Sequence, residues 1–268
     1  MAKNLNFNVG DGLTLTLQDL WANVEIHIGQ GGKATVVLGG DDKLLEQIEV
    51  TQPSADQLLV KGSGEGGDGI TVIQSGGHGS ISVGNIRGSC VVIGGSIVGR
   101  TVVPGGDLVV INGKVISGGD KVTVVEGGET PKIVVTVPHG TDLEAYDVSS
   151  VDSHGLGGKL DISLSSQGEA TIDTANDMKV RCSGQSHVHI IDAAGDLKAS
   201  CSGQSSVTVV GNLDDVEADA SGQSSVTING SCKDCYADAS GMSRVTVSGR
   251  ATGKVRKHQS GMSHISVG

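Results

Sequence analysis

The chain has 268 residues, which is enough for one large domain or two modest ones, and it carries a formal charge of −11. This excess of acidic residues disfavours binding to nucleic acid or to an anionic membrane, because both need a basic footprint. Only one Phe, one Trp and two Tyr accompany 43 Gly. The interior must therefore be filled by aliphatic side chains rather than by the aromatic residues on which most globular cores depend.

Residues 1–62 have the pattern of short β-strands. Leu13–Leu17 alternates leucine with threonine, and Val24–Ile28 alternates aliphatic residues with Glu and His. Period-two alternation bounded by Gly and Asp is typical of half-buried strands. Asp41–Gln47 is the best helix candidate, but it is too short to shape the fold. We expect these strands to pack with the C-terminal part of the chain.

Residues 63–130 differ from the rest of the chain in their high glycine content. Short aliphatic segments such as Ile70–Val72 and Val91–Ile93 persist between the glycines. The dipeptide Asn112-Gly113 lies between two aliphatic runs, which is a strong signal for a tight hairpin. We predict that this segment is a Gly-rich β insertion in which short strands alternate with loops.

Residues 131–268 contain an internal repeat. The phrase Ser-Gly-Gln-Ser, or Ser-Gly-Met-Ser in the last two copies, occurs five times. Its first serines are 19, 19, 19 and 20 residues apart: Ser183, Ser202, Ser221, Ser240 and Ser260. A fixed period of this length is typical of a solenoid, in which each repeat forms one coil that stacks on the next. The predicted fold class is all-β, a parallel β-helix or β-solenoid with coils of about 19 residues.

Alignment of the coils gives columns of similar residues. Two columns are aliphatic: Val188, Val207, Val226, Val245 and Ile265, and Ile190, Val209, Ile228, Val247 and Val267. Polar residues such as His189 and Thr208 alternate with them, so the aliphatic columns point inward and the polar ones outward. A second strand in each coil gives two further inward columns: Met178, Leu197, Val216, Cys235 and Val255, and Val180, Ala199, Ala218 and Ala237.

The Ser-Gly-Gln-Ser phrase is predicted to form the corner before the first of these strands. Its glycine would adopt a backbone angle that other residues disfavour. The flanking serines would bond neighbouring backbone groups or each other. On the outer surface, Lys198 and Glu217 become neighbours in adjacent coils and are expected to attract one another.

The repeats and the segment "VPHGTDLEAYDVSSVDSHGLGGKLDIS" before them carry a family resemblance. Residues 20–62 and 131–268 resemble the bacterial autotransporter-adhesin head, or GIN-domain, family, whereas residues 63–130 depart from it as an insertion. The resemblance implies a right-handed β-solenoid, often part of an exported protein, with no established catalytic residues. It therefore transfers no functional residue to this chain.

Five cysteines, an odd number, do not suggest a disulfide framework. Cys232-x-x-Cys235 has the spacing of a zinc or redox site, but Cys235 occupies an inward column and Cys232 matches Leu213. We therefore favour a buried structural pair. Cys182 and Cys201 stack one coil apart, where a disulfide would form if the geometry permitted.

Two groups of polar residues on the outer face are candidate metal ligands. Three histidines share that face: His187, His189 and His264. Asp219 and Asp238 should stack in adjacent coils with His258 next, where a cation is conceivable. No third ligand is fixed beside the histidines, and ordinary solvated side chains explain both groups. We predict no catalytic, cofactor or metal site.

Three further motifs are assigned no function. Gly62–Gly67 satisfies G-x-G-x-x-G, but a strand rather than a helix follows, so there is no helix N-terminus to hold phosphate. The basic run Lys254–His258 is interpreted as a solvated outer face. Asn229 begins a glycosylation sequon that matters only in a glycosylating cell.

The sequence favours a non-catalytic structural or adhesion-type solenoid that presents a polar Ser/Thr-rich face to a glycan or surface-protein ligand. An apolar strand ends at Gly268, so we expect homo-oligomers through the solenoid ends, or coverage of this end by the N-terminal part or the insertion. Two alternatives stay open: a polysaccharide-acting enzyme with its site in the insertion loops, and a cell-envelope stress or signalling module.

The cellular location depends on whether a signal peptide precedes the first residues. Met1–Asn6 does not begin a signal peptide, because no apolar segment follows it, and no apolar run reaches the roughly 20 residues of a membrane helix. We therefore expect no membrane insertion. The protein would lie at the cell surface if a leader has been removed, and in the cytoplasm otherwise.

Overall fold

The computed structural model describes residues 2–40, 42–62, 130–165 and 167–268, together with five strands between residues 63 and 129. The chain forms two compact units, residues 1–62 with 129–268 and residues 63–128. The division into N-terminal strands, insertion and repeats stays a prediction.

The N-terminal segment forms six strands and one turn of helix. They are β1 (Ala2–Asn8), β2 (Thr14–Gln18), β3 (Asn23–Ile28), β4 (Lys33–Gly39), α1 (Asp42–Leu45), β5 (Ile48–Ser54) and β6 (Gln57–Gly62). In β2, the buried Leu15 and Leu17 alternate with half-buried neighbours, as the sequence predicts. The short helix candidate is confirmed as a single turn.

The described residues of the second unit form five strands: β7 (Thr71–Gln74), β8 (Ser80–Ile81), β9 (Cys90–Ile93), β10 (Ser96–Ile97) and β11 (Leu108–Ile111). β9 pairs in parallel with β7 and β11, and β10 pairs in parallel with β8. The predicted hairpin at Asn112-Gly113 lies outside the described residues.

Thirteen strands form the C-terminal part. They are β12 (Lys132–Val137), β13 (Asp142–Tyr146), β14 (Ser150–Ser153), β15 (Lys159–Leu164), β16 (Glu169–Cys182), β17 (His187–Cys201), β18 (Ser206–Gly211), β19 (Leu213–Ala220), β20 (Ser225–Asn229), β21 (Cys232–Ala239), β22 (Arg244–Val247), β23 (Val255–Gln259) and β24 (His264–Val267). They stack in parallel as a β-solenoid of about seven turns, about 19 residues apart. The predicted fold class is confirmed.

Each coil contributes to two parallel ladders. The first ladder contains β13, β15, the second halves of β16 and β17, and then β19, β21 and β23. The second ladder contains β14, the first halves of β16 and β17, and then β18, β20, β22 and β24. The corners between the ladders therefore also stack, one per coil.

The N-terminal strands pack into the beginning of this stack. β2 pairs with β13 and β6, and β3 pairs with β14 and β12. Antiparallel strands then complete this end, with β4 on β12, β1 on β4 and β5 on β6. The N-terminal segment thus lies at the end of the solenoid opposite to β23 and β24.

The aliphatic columns form the core. Val207 is the register partner of Val188 and Val226, and all three are buried. Burial of each such side chain contributes about 1.5–3 kcal/mol. The predicted column from Met178 is confirmed as far as Cys235, but the expectation that Val255 faces a closed interior is wrong. Val255 is 42% exposed because, among the described strands, β23 pairs only with β21.

The predicted attraction between adjacent coils is confirmed at the surface. Nζ of Lys198 lies 2.8 Å from the carboxylate of Glu217. Both side chains are about half exposed, so solvent screens the pair and its contribution is less than about 1 kcal/mol.

Candidate functional site

The Ser-Gly-Gln-Ser phrase forms a corner between the two ladders. Its five glycines all have a φ between 72° and 74°: Gly184, Gly203, Gly222, Gly241 and Gly261. The second serine is buried, or half-buried in the last coil. The hydroxyl of Ser224 lies 2.8 Å from the carbonyl oxygen of Ser221 and 3.1 Å from that of Cys201, one coil earlier. The predicted corner is confirmed, and its inner hydroxyl bonds the backbone of two coils.

Removal of this hydroxyl should destabilise the fold. We expect Ser224→Ala to lower the free energy of unfolding by about 1–3 kcal/mol, because buried carbonyl oxygens lose their donor. Ser225→Ala is the matched control, since this neighbour faces outward and is half-buried, and its effect should stay below about 0.5 kcal/mol. Urea denaturation compares the two, and equal effects would contradict the role of the corner serine.

A ladder of glutamine side chains follows the outside of the corner. Their amides are joined from coil to coil at 3.1–3.3 Å: Gln167, Gln185, Gln204 and Gln223. In the last two coils the position is taken by Met242 and Met262, which are exposed. The recurrence of Gln in the phrase was a usable signal for this ladder, but sequence reasoning did not predict it.

A shallow groove of about 580 Å³ runs beside the corner. Two sets of polar residues line it: the first corner serines, Ser183, Ser202, Ser221 and Ser240, and the column Ser163, Arg181, Ser200, Asp219 and Asp238. We call this the serine–aspartate groove. Adjacent strands are about 4.8 Å apart, so hydroxyl and carboxylate oxygens recur at this spacing. Such a surface can bind an extended polar chain that runs across the coils.

The charges of the serine–aspartate groove differ along its length. At one end, a guanidinium nitrogen of Arg181 lies 3.1 Å from the carboxylate of Asp161. Asp219 and Asp238 then stack in adjacent coils, and the next residue of the column, His258, lies 3.2 Å from Asp238. The predicted order of these three residues is confirmed.

Asp219 should make stability depend on pH. Burial, followed by the charges of Glu217 and Asp238, raises the pKa of its carboxyl above the ordinary value of 3.8. The folded state therefore holds this proton more tightly than the unfolded state. The resulting stabilisation is present below the ordinary pKa and is lost as pH rises through the raised pKa.

We therefore expect Asp219→Ser to be more stable than the wild type at neutral pH. The difference in stability between the two proteins should be smaller at about pH 4. Serine already occupies this column one coil earlier, as Ser200, so the substitution fits the corner. Thermal unfolding at the two pH values tests this. A variant that is less stable at neutral pH would show that the carboxylate is favourable there.

A ladder of aspartates stabilises a second corner, which lies on the other side of the coil from the Ser-Gly-Gln-Ser corner. Oδ1 of Asp177 accepts a hydrogen bond from the backbone N–H of Asp196 at 3.3 Å, and Asp196 accepts one from Asp215 at 3.0 Å. Asp234 accepts one from Lys254 at 2.7 Å. The 19-residue spacing of these aspartates was visible in the sequence, but their pairing was not predicted. They bond the next coil, which gives them a structural role.

The predicted outer histidines do not form one cluster. His187 and His264 belong to the same column, but three coils separate them. The imidazole Nδ1 of His187 lies 2.7 Å from the Ser206 hydroxyl. Within the ranges the structure describes, no three His, Cys, Asp or Glu side chains are grouped to hold a metal ion.

Another histidine pair, which sequence reasoning missed, results from the position of β3 beside β14. The rings of His27 and His154 stack with 5.1 Å between their centroids. Nδ1 of His154 lies 3.1 Å from Asp173, and Nε2 of His27 lies 3.6 Å from Glu25. No periodic signal links these residues, because β3 comes from outside the repeats.

The cysteines with described side chains are free and buried: Cys182, Cys201, Cys232 and Cys235. Cys232 and Cys235 are in register with Leu213 and Val216, as predicted. Burial raises the pKa of both thiols, to about 11 for Cys235. These are core thiols, and Cys182 and Cys201 stack as expected.

The last coil, which contains β23 and β24, is largely exposed among the residues that the structure describes. All five residues of β23 are exposed, including the basic run predicted to be solvated. Met262 is 77% exposed in the same coil. The guanidinium group of Arg256, which belongs to this coil, lies 5.5 Å from the ring centroid of Tyr236 in the preceding coil. Of the alternatives expected for this end, coverage by the N-terminal part is wrong, because those strands pair at the opposite end. Coverage by the insertion and association with another copy stay predictions.

The other motifs singled out in the sequence do not join the site. Asn229 is exposed at the end of β20. Gly62 ends β6, whereas Ser63–Gly67 belong to the undescribed part. None of the helices described is long and apolar enough to span a membrane.

Parallel coils, an aliphatic core and recurring polar corners define a β-solenoid. The chain belongs to the family described as "Putative auto-transporter adhesin, head GIN domain", whose profile matches residues 115–268. The resemblance drawn from the repeats is therefore confirmed. No curated protein matches the chain.

Solved structures of three bacterial proteins align with the chain over nearly their whole length. A "putative adhesin" from Parabacteroides merdae aligns with a TM-score of 0.53 and 10% identity, covering 100% of this chain and 96% of that one. A "putative adhesin" from Bacteroides fragilis gives 0.42 and 15%, covering 99% and 96%. A "Putative lipid binding protein" from Parabacteroides distasonis gives 0.48 and 10%, covering 100% and 96%. The first of these supports the fold.

Proposed function

We propose that this chain is a non-catalytic, adhesion-type solenoid that binds a glycan or protein ligand on a surface through the serine–aspartate groove. The observation that carries the proposal is the recurrence of groove oxygens once per coil, from Ser163 to Asp238. Several weak polar contacts along an extended ligand then add up without a single deep pocket.

The arrangement of serines supports binding rather than catalysis. An activated serine needs an adjacent base and an oxyanion hole. The corner serines instead repeat at equivalent positions, and inner hydroxyls such as those of Ser205 and Ser224 are directed at backbone carbonyl oxygens. An enzyme site in the insertion loops stays the alternative, and it concerns residues outside the described part.

The test measures binding of the intact chain to arrays of immobilised glycans and surface proteins. We expect specific binding to at least one ligand, weakened at least about tenfold by the double variant Asp219→Ser/Asp238→Ser, because each lost polar contact contributes on the order of 1 kcal/mol. Asp192→Ser/Asp214→Ser is the control, since it removes two exposed carboxylates outside the groove. Binding that is insensitive to the double variant, or turnover of a ligand, would overturn the proposal.

The exposed last coil supports a second part of the proposal, which is association with another copy. An uncovered last coil exposes unpaired backbone groups and apolar side chains. The opposite end is better protected, because Lys3 lies in the edge strand β1 and Pro53 in the edge strand β5. We therefore place β24 of one copy beside β24 of another, related by a twofold axis.

Light scattering tests this arrangement. We expect twice the chain mass of 27.0 kDa, and a return to the monomer when charge is introduced by Val255→Lys with Met262→Lys. Ile191→Lys is the control, because it removes an exposed apolar side chain in the middle of the solenoid. A monomeric wild type would exclude association through this end.

A further inference from the structure

Cys182 and Cys201 are direct register partners in adjacent coils. Neighbouring strands are about 4.8 Å apart, and this spacing lies within the Cα separations that a disulfide can bridge. Both side chains are buried at the same position of successive coils, so a disulfide between them would join two neighbouring coils directly.

The pair is buried, but it lies directly beside a surface groove. Both cysteines form part of the wall of the serine–aspartate groove, although each is only 3% exposed. The same column begins with Leu164 and continues with Ala220 and Ala239, so the core at this position accepts side chains of different sizes. Packing therefore does not require a thiol in either coil.

We propose that Cys182 and Cys201 are an oxidation site, at which a small disulfide oxidant such as oxidised glutathione joins the two coils covalently. The Cys182 thiolate attacks one sulfur of the oxidant, whose S–S bond breaks and releases one thiolate. Cys201 gives its proton to that thiolate, and its sulfur then attacks Sγ of Cys182 and expels the second thiolate, which takes the proton that Cys182 had lost. The protein loses two electrons and two protons, and the oxidant becomes two thiols.

The order of the steps follows from the thiol environments. The hydrogen bond with Cys201 lowers the pKa of Cys182, whereas the hydrogen bond with Cys182 and then burial raise the pKa of Cys201. Cys182 is therefore the first to become a thiolate, which is the reactive form. Cys232 and Cys235 lie within one coil and do not line the serine–aspartate groove, so they are the internal comparison.

The experiment treats the full-length folded chain with oxidised glutathione, then denatures it and alkylates the remaining thiols. The sequence has five cysteines. Mass spectrometry should find five alkylated cysteines without oxidant and two fewer with it. Trypsin and a glutamate-specific protease cleave after Arg181, Lys198 and Glu217. Cys182, Cys201 and Cys232 then lie on separate peptides, so a linked pair of the first two peptides identifies the bridge.

Two variants distinguish the proposed pair from other thiols. Cys201→Ala should retain one glutathione on Cys182, because the second attack cannot occur, and alanine is already accepted in this column. Cys232→Ala should still lose two thiols on oxidation, with the same linked peptides. The proposal is overturned if the folded wild type keeps all its thiols, or if the bridge involves Cys90, Cys232 or Cys235.

Discussion

Val226→Asp is expected to abolish cooperative folding of the C-terminal coils, whereas Thr227→Asp leaves them folded. Val226 is fully buried between Val207 and Val245. An unpaired carboxylate there costs several kcal/mol or shifts its pKa at a similar cost, against a total stability of about 5–15 kcal/mol for a typical domain. Thr227 faces outward, so a carboxylate at that position stays hydrated.

Circular dichroism and hydrogen exchange measure this difference. Because each coil contacts only its neighbours, protection should be lost first in the coils around residue 226, while the N-terminal strands and the first coils keep theirs. Equal stability of the two variants would mean that Val226 does not face the interior.

Gly230→Ala should be the second strongly destabilising change. Gly230 lies over Gly211, and a Cβ at Gly230 would overlap the carbonyl oxygen of that residue in the preceding coil. Backbone atoms cannot move aside as a side chain can, so the coils must separate locally. We expect a loss of about 3 kcal/mol or more in the free energy of unfolding, at or above the upper end of ordinary overpacking.

Gly31→Ala is the matched control for this change, because nothing lies within 4 Å of a Cβ built at Gly31. Its unfolding free energy should change by less than about 0.5 kcal/mol. Thermal or urea denaturation compares the two variants. A Gly230→Ala protein as stable as the control would show that the coils are not in close contact at this column.

The interior of the repeats was predictable because its period is regular. Residue spacing alone placed Val188 beside Val207, and Lys198 beside Glu217, and the structure confirms both pairs. The corner was predictable for a similar reason, since only glycine adopts its backbone angle without strain. These features depend on local spacing, which a single sequence displays directly.

Features that depend on distant segments were not predictable in this way. The position of β3 between β12 and β14 joins residues more than 100 positions apart without any shared pattern. The stacked pair His27 and His154 is a consequence of that placement. Val255 was assigned to the interior because its column is aliphatic, but a column cannot show where the stack ends.

The candidate groove was only partly predictable. The stacking of Asp219 and Asp238 followed from the period, but the concave shape depends on how the first ladder meets the corner, which side-chain alternation does not define. The corner serines were expected to bond the backbone. Their two positions have different surroundings: the second serine is mostly buried, whereas the first, such as Ser202, lines the groove.

The stacking of residues about 19 positions apart is the central claim, and methyl–methyl nuclear Overhauser effects test it most directly. With selectively labelled valine methyls, Val207 and Val226 should give a strong cross-peak, because neighbouring strands are about 4.8 Å apart. Absence of that cross-peak in the folded protein, with both methyl resonances assigned, would contradict the solenoid and the groove built on it.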